Sequence, residues 1–402
     1  MKKIIPVVIA VLFFAGCQNN DPVFDYNLKS AVVIETNNNF GLNLLKEVLL
    51  NETEPNVMIS PVSVSLALGM AYNGSDSTTK EAFEDLFYYS GLTREEVNSI
   101  TKELIDVLTT NSTGNLLEIA NSVWYQEGFP VLQGFIDLNT QYYDAGVFEQ
   151  DFSASDAVDN INDWVSDKTH KKISKIIDQL DPATKMILIN ALYFNCLWEV
   201  EFDPGETVSK PFHNEDGSTY KNVEMMTVEN DFKYSINDDV SIVELPYKNS
   251  KFSMLLFLPS ENSSLDEFIE KLDGDNWNTW INSLGSASKL QVVLPKYKFS
   301  YERSLADDLK NMGLEIAFTD SADFSGMSTI PLWIFDVIHK TYIDVNEEGT
   351  EAAAVTAITL GNDMIEFVQA ITFDRPFFFA IKENSSNAIV FAGKVSEPEY
   401  EE

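Results

Sequence analysis

The sequence predicts one large mixed α+β domain, on three observations. Stretches with the apolar spacing of helices, at 25–51 and 62–72, are interleaved with stretches that alternate or run apolar as strands do, at 116–125, 186–194 and 335–345. No internal repeat or low-complexity linker divides the chain after about residue 28. Near the C-terminus, 346–365 opens like a surface turn and continues like a buried strand. The 402 residues exceed the usual length of one domain, but a single large one is allowed.

The chain begins with Lys2 and Lys3, an apolar run from Ile4 to Phe14, then Ala15-Gly16-Cys17. This reads as an export signal over 1–16, too short to span a bilayer stably. Small residues directly before a cysteine resemble a bacterial lipobox, in which Cys17 is lipidated and becomes the mature N-terminus, although Phe14 stands where Leu is more usual. The alternative is a plain signal peptide with an incidental cysteine. Residues 17–27 then form a polar tether. The expected location is the bacterial cell envelope, lipid-anchored at the outer membrane or cell surface, with release to the medium as the other outcome. With Cys17 acylated, Cys196 is the only thiol left, so stability must come from the core rather than a disulfide.

Removing 1–16 leaves 25 basic against 63 acidic residues, a formal charge of −38. Such a surface repels nucleic acid and anionic polysaccharide and keeps the protein soluble.

Residues 25–51 read as an amphipathic helix with Leu28, Val32, Val33, Phe40, Leu42, Leu44, Leu45, Val48 and Leu49 inward. Val57-Met58-Ile59 is a short strand, after which Ser60 can cap a helix with Pro61 at its first position; Asn73-Gly74 stops that helix. Residues 116–125 alternate as a strand, and 186–194 are apolar nearly throughout, as in a strand covered on both faces.

Several patterns that suggest catalysis or metal binding have plainer readings. Ser77-Thr78-Thr79-Lys80 matches S-x-x-K, but no K-T-G follows and the position reads as a helix start. No G-x-S-x-G is present. The three histidines, His170, His213 and His339, have no second ligand at metal spacing. His339, between apolar neighbours in a strand, fits a hydrogen-bonding core residue that donates to Asn190 or Ser60. Asn214-Glu215-Asp216-Gly217 reads as a hairpin turn rather than a calcium loop.

In 346–365, every second residue from Thr350 (Thr350, Ala352, Ala354, Thr356, Ile358, Leu360) is small or apolar, and the segment holds no proline. It reads as a strand waiting for a sheet; an ordinary central strand or a short Ala-rich helix are the competing readings. Its neighbours matter here. Glu347-Glu348-Gly349-Thr350-Glu351-Ala352-Ala353-Ala354, preceded by 335–345 and followed by Phe373-Asp374-Arg375-Pro376-Phe377-Phe378-Phe379-Ala380-Ile381 and Phe391-Ala392-Gly393-Lys394-Val395, closely resembles the hinge and C-terminal signature of the serpins. Ile59-Ser60-Pro61-Val62-Ser63, Ile161-Asn162-Asp163-Trp164-Val165, Asn195-Cys196-Leu197-Trp198-Glu199 and Leu294-Pro295-Lys296-Tyr297 follow the family order, and the likeness runs from about residue 28 to Pro398.

The resemblance implies a serpin fold, with a three-sheet core, about nine helices and an exposed reactive loop over 346–370 in a domain spanning 28–402. It implies a monomeric suicide inhibitor of serine-type, or cysteine-type, endopeptidases, not an enzyme, with the target protease as partner; a non-inhibitory serpin acting as a binding module is the alternative. Glu347, Gly349, Thr350, Glu351, Ala352, Ala353 and Ala354 would form the hinge, and Trp198, Lys296 and Glu347 the breach where the loop enters. Ser60, Ser63, Asn190 and His339 would form the shutter beneath the main sheet. Lys171 stands where the family usually has glycine, which bears on the turn after the helix at 161–165. The region corresponding to the heparin-binding helix, 88–112, offers only Arg94 and Lys102, so no heparin-type activator is expected. The family spacing leaves the reactive bond open among Asp363, Met364 and Ile365. Cleavage after Met364 suits elastase- or chymotrypsin-like enzymes and is favoured; cleavage after Asp363 needs an aspartate-specific protease.

Overall fold

A computed structural model describes residues 24–400 except 26, 182–183, 215–216 and 351–367. Cys17, with the export signal, and most of the reactive loop, from Glu351 through Ala352, Ala353, Ala354, Asp363, Met364 and Ile365, lie outside the described residues.

The chain begins with α1 (Leu28–Leu50), started by a capping box in which Asn27 and Ser30 satisfy each other's backbone amides. Val33, Phe40, Leu42, Leu44, Leu45 and Val48 face the core as expected. Leu28 does not; as the first helical residue it projects past the packed face and is 84% exposed. β1 (Asn56–Ile59) leads into α2 (Pro61–Tyr72), where the Ser60 hydroxyl accepts from Ser63 N at 3.1 Å and Pro61 occupies the first turn. α3 (Ser77–Leu86) is capped by Asp76, so the S-x-x-K match is a helix start, with Lys80 paired to Glu84 at 2.7 Å.

α4 (Arg94–Thr109), β2 (Asn115–Gln126), α5 (Gln133–Tyr143), β3 (Gly146–Gln150), α6 (Ala157–Lys168) and β4 (Met186–Leu197) follow. The chain then forms β5 (Val208–His213), β6 (Thr219–Ile236), β7 (Val240–Pro246), β8 (Phe252–Pro259), α7 (Leu265–Glu270), α8 (Gly274–Ser283), β9 (Ser288–Pro295), β10 (Tyr297–Ser304) and α9 (Ala306–Leu309). It closes with β11 (Ile338–Val345), β12 (Gly349–Thr350), β13 (Gln369–Thr372), β14 (Phe377–Glu383) and β15 (Ile389–Val395).

One sheet has six strands in the order β10-β11-β12-β4-β2-β3. The other strands run β1-β15-β14-β8-β7-β6-β9-β13, with β5 beside β6. The 18-residue β6 pairs with β5 and β9 along its first part and with β7 at its end, so two of the three expected sheets are continuous through it. α6 covers the outer face of the six-stranded sheet, with Ile161 and Val165 in one apolar cluster with Ala120, Trp124, Ile189 and Ala191. The turn that follows is made although glycine is absent. Lys171 takes the left-handed conformation at φ 67°, and Thr169 Oγ1 accepts from Ile173 N and donates to Val165 O.

Candidate functional site

The site lies where β12 enters the six-stranded sheet. Thr350 pairs with Val345 of β11 on one side and with Cys196 of β4 on the other; Gly349 pairs with Leu197. Among the described residues no ladder joins β11 directly to β4, so the two-residue β12 is the only strand between them. The two long strands border the position that β12 enters, termed the slot below, and a crevice lined by Phe194, Ile343, Ile381 and Phe391 lies next to Thr350.

Why glycine and threonine stand at the entrance is a matter of room. A Cβ on Gly349 would lie 2.2 Å from the Cys196 carbonyl oxygen, so any side chain would push the hinge off β4. Thr350 is 2% exposed, and its hydroxyl shares a 2.6 Å hydrogen bond with the Tyr247 hydroxyl beneath the sheet.

The turn before it is held by successive carbonyls. Asn346 O accepts from the Trp198 indole at 3.0 Å, Glu348 O from Trp198 N at 2.8 Å, and Glu347 O from Phe202 N at 2.8 Å. The Trp198 ring is stacked on Tyr247, with centroids 4.4 Å apart. Glu347 turns its carboxylate to Lys296 Nζ at 3.1 Å and accepts from Thr207 Oγ1 at 2.8 Å. Both members of that pair are largely buried, at 14% and 11% side-chain exposure. Trp198, Lys296 and Glu347, far apart in sequence, therefore meet at one end of the slot.

The serines below the slot divide between its two lips. Ser63 Oγ donates to Asn190 Oδ1 on β4, and Asn190 Nδ2 donates on to Asn121 Oδ1 at 2.6 Å. Ser60, three residues earlier at the start of α2, meets β11 instead, with Ser60 N donating to His339 Nε2 at 3.0 Å. His339 is thus an acceptor from Ser60 and does not donate to Asn190 or Ser60. The backbone amide of a helix N-cap is already a donor, so the ring nitrogen facing it must be bare.

Burial pushes the His339 imidazole down to about 4, so it is neutral. An unfolded histidine titrates near 6.5, so as pH falls the unfolded chain binds its proton first. Stability is present above about 6.5 and is lost as pH falls towards about 4, by up to roughly 3 kcal/mol. Thermal melts across this window should fall more steeply for the wild type than for His339→Gln, whose amide oxygen can still accept from Ser60; parallel pH slopes would contradict this.

On α4, Arg94 donates to the carbonyls of Asn73 and Ser75 and lies 4.8 Å over the Tyr72 ring, while Lys102 pairs with Asp106 and Asp144. Both cations are engaged within the fold.

One residue at the site escaped the sequence reading. Tyr400, in the polar tail after the last strand, places its ring 4.2 Å from Lys296 Nζ. A lone aromatic among acids carries no periodic signal.

A mixed α+β fold whose six-stranded sheet takes in the short hinge strand Gly349–Thr350 between two long strands defines the class. The chain belongs to the serpin family: the serpin (serine protease inhibitor) family model matches residues 35–398. It is 34% identical to an uncharacterized serpin-like protein of Methanosarcina mazei, over 100% of this chain and 98% of that one. It is 34% identical to human serpin B8, over 90% of this chain and 99% of that one. The native-state crystal structure of the thermophilic serpin tengpin superposes with a TM-score of 0.84 at 32% identity, covering 94% of this chain and 96% of that one. The latent state of tengpin matches with a TM-score of 0.80.

Proposed function

We propose that the protein inhibits serine-type endopeptidases as a suicide substrate, and that it is not itself an enzyme. The observation that carries this reading is the seating of Gly349 and Thr350 between two strands that, among the described residues, are not otherwise paired with each other. A protease attacks the loop, with the bond after Met364 favoured, and forms its acyl-enzyme. The freed strand then continues the entry that β12 has begun.

The register supports the fit. Thr350 faces Cys196 on β4 and Val345 on β11; six residues further on, an uninterrupted strand brings Thr356 opposite both Asn190 and His339. Thr350, Ala352, Ala354 and Thr356 are small enough to pass between the lips, and Ile358 and Leu360 follow on the same face. Residues 349–363, extended at about 3.3 Å each, reach roughly 50 Å, which carries the acylated protease to the far end of the sheet. Deacylation slows when the oxyanion donors and the base are pulled out of register.

The alternative is a non-inhibitory serpin acting as a binding module. The hinge disfavours it, since nothing bulky or charged stands at positions 349 and 350. Incubation with a panel of elastase-, chymotrypsin- and aspartate-specific proteases discriminates. An adduct stable in SDS is expected with an elastase- or chymotrypsin-like enzyme; loop cleavage without any adduct across the panel would favour the binding module.

A further inference from the structure

The C-terminal tail leaves β15 and crosses to the slot entrance. It is pinned first at Asn56, whose side-chain oxygen accepts from Ser396 N and Glu397 N, both at 3.0 Å, and whose amide donates to Glu397 O at 2.7 Å. It next joins the edge strand β10, where Lys298 N donates to Glu399 O at 2.8 Å. The Glu399 carboxylate accepts from Lys221 Nζ at 2.8 Å and from the Tyr220 hydroxyl at 3.2 Å. These contacts deliver the Tyr400 ring onto Lys296 at 4.2 Å and within 5.9 Å of Lys298. Burial, with Asp344 close by, pushes the Tyr400 hydroxyl up to about 12, so the ring stays neutral over the cation.

Lys296 is the cation that holds Glu347, and Glu347 stands two residues before the hinge glycine. A ring over an ammonium removes water from it and restricts where it can point. We propose that Tyr400 is a positioning residue: the tail straps Lys296 onto Glu347 and thereby slows entry of the uncleaved loop into the slot. This rests on the loop-insertion reading above and adds a control to it. The strap works on the same end of the sheet at which Trp198 and Thr350 are seated, and it works through a cation rather than through the hinge itself.

The test is the rate at which uncleaved, full-length protein converts on warming to a form that no longer traps protease and resists heat. Tyr400→Ala should convert about fivefold faster than the wild type, the size of one lost aromatic–cation contact. Tyr400→Phe, which keeps the ring, should convert within about twofold of the wild type. Loop-cleaved samples of all three should melt together, because entry is then complete. A wild-type conversion rate in Tyr400→Ala would overturn the proposal, as would equal destabilisation of its intact and cleaved forms, which marks a merely structural contact. If the wild type gains no heat resistance even when cleaved, loop insertion itself fails, and the strap with it.

Discussion

Replacing Thr350 with arginine is expected to turn the protein from a trap into a substrate. Thr350 is 2% exposed and sits between Val345 and Cys196 with its hydroxyl on Tyr247. A guanidinium there would be buried without a carboxylate partner, at a cost of several kcal/mol. The two-residue β12 can leave the sheet without disturbing the pairs β10·β11 and β2·β4, so the fold should survive. With the first step of entry blocked, deacylation outruns insertion. The variant should be cleaved by the same protease as the wild type yet yield no SDS-stable adduct. Adduct formation at the wild-type yield would refute the insertion mechanism.

Loop cleavage of the wild type should raise its thermal midpoint by roughly 10–20 °C. An inserted strand of about ten residues gains ladder hydrogen bonds to β4 and β11 at about 0.5–1.5 kcal/mol each. Burying Ile358 and Leu360 adds roughly 1.5–3 kcal/mol each. The total is of order 10 kcal/mol or somewhat more, which in a domain of this size corresponds to a shift of roughly 10–20 °C. Differential scanning calorimetry of intact and loop-cleaved protein measures it, and equal midpoints would contradict a stored relaxation.

Much of this was legible in the sequence because it is local. The capping serine before Pro61 and the apolar run at 186–194 each fix a backbone state within a few residues, and the structure has α2 and β4 there; of the period-2 face only Thr350, in β12, is among the described residues. Family order added what local pattern lacks, the meeting of Trp198, Lys296 and Glu347. Strand order is a long-range property, so neither the slot nor the continuity of two sheets through β6 could be read from periodicity. The role of His339 depended on which group faced its ring; Ser60 supplied its backbone amide rather than its side chain, and the proton went to the other nitrogen. Leu28 matched the helical face by spacing but precedes the packed turns. Tyr400 acts through a cation a hundred residues away in sequence, and nothing in the tail announces it.

The central claim is that the freed loop occupies the space between β4 and β11, and amide hydrogen exchange tests it most directly. Along an antiparallel strand alternate residues point their backbone groups to opposite sides, so β2 protects only every second amide of β4. In intact protein the other amides of 186–195, and those of 338–343 turned from β10, should exchange readily. After cleavage of the loop both sets should become strongly protected, together with 351–360. If cleavage leaves the exchange of β4 and β11 unchanged, the loop does not enter the sheet and the account is wrong.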